Sequence, residues 1–151
     1  MSRPVSLSVV VLLVLVCHLG ASIAKPHEEM SKDHAAQLAN ECKAETGATD
    51  EDVEKMLKHE EPETHEAKCL QSCVMKKFQI VDESGKLSKE HALELVKHIS
   101  KPDAEKEDAP AEVVDKCEGI ELPEDHCEAA VAFSTCIYEQ MKEHGLELEE
   151  H

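Results

Sequence analysis

Residues 65–78, HEAKCLQSCVMKKF, and residues 126–141, HCEAAVAFSTCIYEQM, each carry two cysteines, and the spacing of those cysteines decides the fold. Both stretches have apolar residues at helical spacing: Leu70, Cys73, Val74 and Phe78 in the first, with Thr64 placed to cap it. Cys69 and Cys73 are four apart, so on a helix their side chains run parallel on one face, a poor geometry for bonding each other. Cys127 and Cys136 are nine apart. At about 100° per residue that is roughly half a turn net, which points them to opposite sides of one helix. Six cysteines allow 15 pairings. Each excluded local pair occurs in three of them, with one shared, so ten of the fifteen remain. In every one of the ten, each of these four cysteines bonds to a cysteine on another helix.

Working outward, helix punctuation recurs and no strand-like alternation appears. A first helix is expected over about 28–46, with Met30, Leu38 and Cys42 near one face and Gly47 after its end. Thr49 with Asp52 three residues on predicts a capping box for a short helix carrying Val53, Met56 and Leu57, closed at Glu61-Pro62. After the third helix, Asp82-Glu83-Ser84-Gly85 reads as a turn. Ser88 is placed to cap a fourth helix (Leu93, Leu95, Val96, Ile99) that stops at Lys101-Pro102. Residues 103–109 are polar without an apolar stripe and read as a surface loop. Pro110 opens a fifth helix (Val113, Val114, Cys117) closed by Gly119, and a sixth runs over about 124–144 to Gly145. The class is all-α, with about six helices.

The chain's beginning sets the compartment. Arg3 gives a positive start, residues 9–17 form an unbroken apolar run, and Gly20, Ala21, Ser22 and Ala24 are the small residues a signal peptidase needs. Residues 1–24 are expected to be a signal peptide, with Ala21 the alternative cut, and 25–151 one mature domain. The run is shorter than the roughly 20 residues that span a bilayer, so a secreted protein without stable membrane insertion is expected. Cleavage removes Cys17 and leaves six cysteines, the even count of a disulfide framework in a secreted chain. A domain of 127 residues can build a core without staples. The bridges therefore suggest helices held apart around an interior that side chains do not fill. Cleavage also removes Arg3, the only arginine, leaving 15 basic against 33 acidic residues and a formal charge of −18. That balance speaks against nucleic acid and anionic lipid as partners and for solubility.

The mature cysteines are separated by 26, three, 43, nine and eight residues. The three-residue gap in the third helix and the eight-residue gap in the last resemble the insect odorant-binding protein family, of the pheromone-binding and general odorant-binding type. The turn Val81-Asp82-Glu83-Ser84-Gly85-Lys86-Leu87 resembles that family's acidic-glycine turn, and the likeness covers essentially the whole mature chain. The 43-residue gap before Cys117 is at the long end of the family's range. The resemblance implies three interlocked disulfides, Cys42–Cys73, Cys69–Cys127 and Cys117–Cys136, one of the ten pairings left open above. It also implies an apolar cavity that takes up odorants or pheromones, with a chemoreceptor as a further partner and a monomer or weak homodimer as the assembly.

An apolar pocket needs inward side chains that do not close the space. Met56, Leu57, Val74, Phe78, Leu95, Ile99, Val114, Val131, Phe133, Ile137, Tyr138 and Met141 are the candidates; the alternative for each is plain core packing. With no Trp, one Tyr and two Phe, the lining is expected to be aliphatic with adaptable Met, suited to alkyl chains, esters, aldehydes or terpenoids. Tyr138 is a hydrogen-bond donor for a ligand oxygen. Nine mature histidines raise a further expectation, weaker ligand binding at pH 5 than at pH 7. The tail after Cys136 has no long apolar helix, which speaks against a tail that enters the pocket.

No metal or other cofactor is expected. His91 and His98 supply only two ligands on one face, and aligning Gly85 to the glycine of a calcium loop puts Ile80 and His91 at the terminal ligand positions. An enzyme is not expected either, since the cysteines are committed to bridges and neither G-x-S-x-G nor H-E-x-x-H occurs. Besides a carrier of odorants, two readings stand: a carrier or scavenger of hydrophobic compounds outside chemosensory tissue, and a cavity-less, disulfide-rich defence or venom protein.

Overall fold

The structure is a computed structural model that describes residues 31–149. The signal peptide expected over 1–24, and Met30 with the start of the first expected helix, lie outside the described residues. Among the described residues six α-helices follow one another: α1 (Lys32–Thr46), α2 (Asp50–Leu57), α3 (His65–Lys77), α4 (Lys89–Ile99), α5 (Ala109–Glu118) and α6 (His126–Glu143).

Most ends form as their side chains dictate. Ser31 caps α1 by accepting from the His34 amide at 3.2 Å, and Gly47 closes it at φ 77°, a conformation open to glycine at little cost. The box at α2 is complete: the Asp52 amide donates to Thr49 Oγ1 at 3.2 Å, and the Thr49 amide donates to Asp52 Oδ2 at 2.8 Å. Thr64 caps α3 through the Ala67 amide, and Asp125 caps α6 through the amides of Cys127 and Glu128. Pro110 stands in the first turn of α5, where its missing N–H leaves nothing unsatisfied.

Three local features depart from the expectation. Ser88 precedes α4 but makes no side-chain cap, because its Oγ is paired with His91 Nδ1 at 2.9 Å. The polar stretch 103–109 contains a 3₁₀ turn, Ala104–Lys106, nucleated by Asp103 accepting from the Glu105 amide. Two isolated antiparallel β-bridges also occur, Val81 with Leu87 across the acidic-glycine turn and Ser100 with Leu148.

The helices pack in a chain, α1 on α3, α3 on α6 and α6 on α5, and a disulfide staples each of these three contacts. The bridges are Cys42–Cys73, Cys69–Cys127 and Cys117–Cys136, with Cα separations of 5.8, 4.5 and 5.8 Å. Cys69 and Cys73 thus leave the same face of α3 for different partners, while Cys127 and Cys136 leave opposite sides of α6. Two apolar clusters result. One joins α4, α5 and α6 around Val96, Val113, Phe133 and Ile137; the other joins α1, α2 and α3 around Ala39, Val53 and Leu70. Phe78 at the end of α3 packs against both.

Candidate ligand-binding site

Between the two clusters lies a pocket of about 1330 Å³, open to solvent at its rim. Its floor is built from one face each of four helices. Met56 and Leu57 come from α2, and Ala67, Gln71, Val74, Met75 and Phe78 from α3. Leu95 and Ile99 come from α4, and Ser134, Tyr138 and Met141 from α6. These positions recur at three- and four-residue intervals, the spacing that lays side chains along one side of a helix. The rest of the lining includes Ser31, Lys32 and Ala35 at the start of α1, residues 58–60 and Pro62 after α2, and residues 145–149 after α6.

Eight of the twelve expected residues line this pocket: Met56, Leu57, Val74, Phe78, Leu95, Ile99, Tyr138 and Met141. Val114, Phe133 and Ile137 do not; they are at most 2% exposed and fill the α4–α5–α6 core. Phe133 and Ile137 sit on the face of α6 beside the one that carries Ser134, Tyr138 and Met141, and α5 contributes nothing to the lining. Val131 is half-buried and off the pocket.

Several lining residues were not foreseen. Gln71 falls in step with Val74, Met75 and Phe78, and Ser134 with Tyr138 and Met141, so periodicity could have found both; their polarity hid them. His59 is held by backbone geometry. It lies in the left-handed region at φ 59° just past α2, which brings its Nδ1 to 2.8 Å from the Tyr138 hydroxyl. Burial pushes the Tyr138 phenol up to about 12. The tail does reach the pocket, though as an extended wall and not as a helix. Gly145 turns it at φ 64°, the Lys101 amide donates to Glu147 O and the Glu149 amide to Ile99 O, both at 2.8 Å, and Leu146 is buried.

Among the described residues one group has the proximity of a metal site: His65, Cys69 and Cys127. His65 Nε2 is 3.5 Å from Cys69 Sγ, and His126 Nε2 is 3.4 Å from Cys127 Sγ. Both sulfurs are spent in the Cys69–Cys127 bridge, so they offer no thiolate. His91 is paired with Ser88, and His98 lines the pocket. They share no third ligand.

Residues 24–140 match the PBP/GOBP family. The chain belongs to that family. Across its whole length it is 73% identical to general odorant-binding protein 19d of Drosophila melanogaster, of which it likewise covers 100%. It is 40% identical over 139 residues to general odorant-binding protein 28a of the same fly, covering 90% of this chain and 96% of that one. Among solved structures, the Drosophila odorant-binding protein dmelOBP28a superposes with a TM-score of 0.70 at 38% identity, covering 78% of this chain and 100% of the other. Family membership accords with the six helices and three staples described above.

Proposed function

We propose that the protein is a secreted carrier that takes up a small, mainly aliphatic molecule in the pocket between α2, α3, α4 and α6. The observation that carries this is the pocket itself: about 1330 Å³, lined at its floor mainly by Met, Leu, Val, Ile and Phe side chains, with Gln71, Ser134 and a single tyrosine among them. Such a floor rewards burial of alkyl surface at roughly 25 cal/mol per Å² and offers few directional contacts. Both Drosophila relatives are odorant-binding proteins by name, which supports an odorant or a chemically similar volatile as the cargo. All six mature cysteines are paired, so no thiol nucleophile is on offer, and the proposal is binding without a chemical step.

The test is uptake of an apolar fluorescent probe, N-phenyl-1-naphthylamine, and its displacement by aliphatic volatiles. Displacement in the micromolar range is expected, and Val74→Trp, which fills the floor, should abolish it while the fold is retained by circular dichroism. A protein that never takes up the probe would be the cavity-less alternative.

A pH effect fits the same pocket. His59, bonded to Tyr138, and His98 both line it, together with Lys55, Lys58, Glu60, Lys101 and Glu149. Protonating these imidazoles adds charge to a largely apolar surface and disfavours an apolar guest. Displacement titrations are expected to give weaker binding at pH 5 than at pH 7; equal affinities would remove the histidines from the account.

A further inference from the structure

Two polar side chains meet inside the apolar seam between α3 and α6. Gln71 and Ser134 both line the pocket, and the Gln71 carboxamide Nε2 donates to Ser134 Oγ. That direction leaves the single proton of the serine hydroxyl for Ala130 O at 3.1 Å, one turn back on the same helix, with Met75 Sδ the weaker acceptor at 3.9 Å. Toward Gln71 the oxygen is left to accept. The amide nitrogen therefore faces the serine, and the carboxamide oxygen is turned away from it.

That oxygen, Gln71 Oε1, has no partner among the described residues. No buried side-chain oxygen or nitrogen among them is left without one either, so Oε1 reaches open space, and the open space that Gln71 borders is the pocket. Gln71 thus brings an acceptor without a protein partner to the pocket lining. Other polar groups of the lining are already paired, Tyr138 with His59 at 2.8 Å and Lys101 with Glu147 at 3.0 Å.

Resting on the carrier proposal above, we infer that Gln71 Oε1 makes the pocket selective for aliphatic alcohols, whose hydroxyl donates to it while the alkyl chain lies on Val74, Met75 and Phe78. The physical basis is an asymmetry. An alcohol replaces the water that solvates Oε1 in the empty pocket. An ether, ester or ketone of the same length covers Oε1 without donating, and a polar atom stripped of water and left unpaired is penalised. Discrimination therefore comes from the Gln71 acceptor and not from the size of the pocket, and it favours donors over pure acceptors.

The experiment compares 1-decanol, its methyl ether and decane as competitors of N-phenyl-1-naphthylamine on the whole mature protein, its variant Gln71→Met and its variant Ser134→Ala. In the unaltered protein the alcohol should bind about fivefold tighter than the ether, or more. Gln71→Met keeps the volume and removes the acceptor, and it should bring the ratio below about two with the ether's affinity unchanged or improved. Ser134→Ala frees the carboxamide from its anchor and should lower the ratio as well. Equal binding of alcohol and ether by the unaltered protein would overturn the inference, and so would an alcohol preference that survives in both variants. Failure of all three competitors, decane included, to displace the probe would instead overturn the carrier proposal beneath it.

Discussion

Tyr138 is the chain's single tyrosine, and there is no tryptophan, so its ionisation can be followed without interference from another aromatic chromophore. Burial raises the phenol's pKa to about 12, against an ordinary 10.0. An acid that holds its proton more tightly when folded contributes stability that is fully present below the unfolded value and is lost as pH rises through the folded one. Between about 10 and 12 the native state binds more protons than the unfolded chain, so stability should fall across that window. Phenolate absorbance is expected to titrate with a midpoint near 12 in the native protein and near 10 in denaturant; a native midpoint near 10 would mean the ring is solvated. Five residues back on α6, Phe133 lies outside the pocket and is 2% exposed. Phe133→Ala should therefore destabilise by about 3–5 kcal/mol in urea titrations, through lost burial and the cavity left behind. Alanine at the pocket-lining Val74 should cost less, because its side chain already borders open space.

The helices owe their limits to side chains that act within one turn. Thr49→Ala deletes the hydroxyl that accepts from Asp52 in the α2 box and should lower stability by about 1 kcal/mol, read as a lower Tm. Hydrogen bonds from Thr49 hold the Asp52 carboxyl below its usual range, and the amides of Glu128 and Cys127 do the same for Asp125 at α6. Carboxylates depressed by folding contribute stability above their unfolded pKa and lose it as pH falls through the folded one. Melts in acid should show that loss setting in below about pH 4, and Thr49→Ala should narrow the drop by weakening the bonds to Asp52. Boxes of this kind were legible in the sequence because both partners are three residues apart: Thr49 with Asp52 announces α2. Ser88 with His91 has the same spacing, and there the rule misleads. The imidazole takes the hydroxyl for itself, so α4 begins without a side-chain cap. Local pattern finds the position of a cap, while the chemistry of its third residue decides whether the cap forms.

Across the whole molecule, what could be read in advance is what repeats. The cysteine spacing excluded bonds within α3 and within α6, and the apolar faces of α2, α3, α4 and α6 supplied eight of the twelve named pocket residues. What could not be read is what closes the pocket, because residues 58–60 and 145–149 have no period and are placed by backbone bonds and by the positive φ of His59 and Gly145. The tail tests this. Leu146 is 8% exposed and joins the core that includes Met141 and Ile99, while the Ser100–Leu148 bridge and the 3.0 Å Lys101–Glu147 ion pair hold the following residues over the rim. None of the three disulfides involves this segment, so a chain ending at Gly145 should keep its helices. Losing the burial of Leu146 should cost about 1.5–3 kcal/mol, and the exposed ion pair adds little. The larger effect belongs to kinetics. With one wall of the rim gone, a bound alkyl ligand has a wider exit, so its dissociation rate in stopped-flow displacement should rise several-fold while the floor that provides most of the affinity is untouched. A truncated chain that released ligand at the unaltered rate would place the exit elsewhere, at residues 58–60 and the His59–Tyr138 contact.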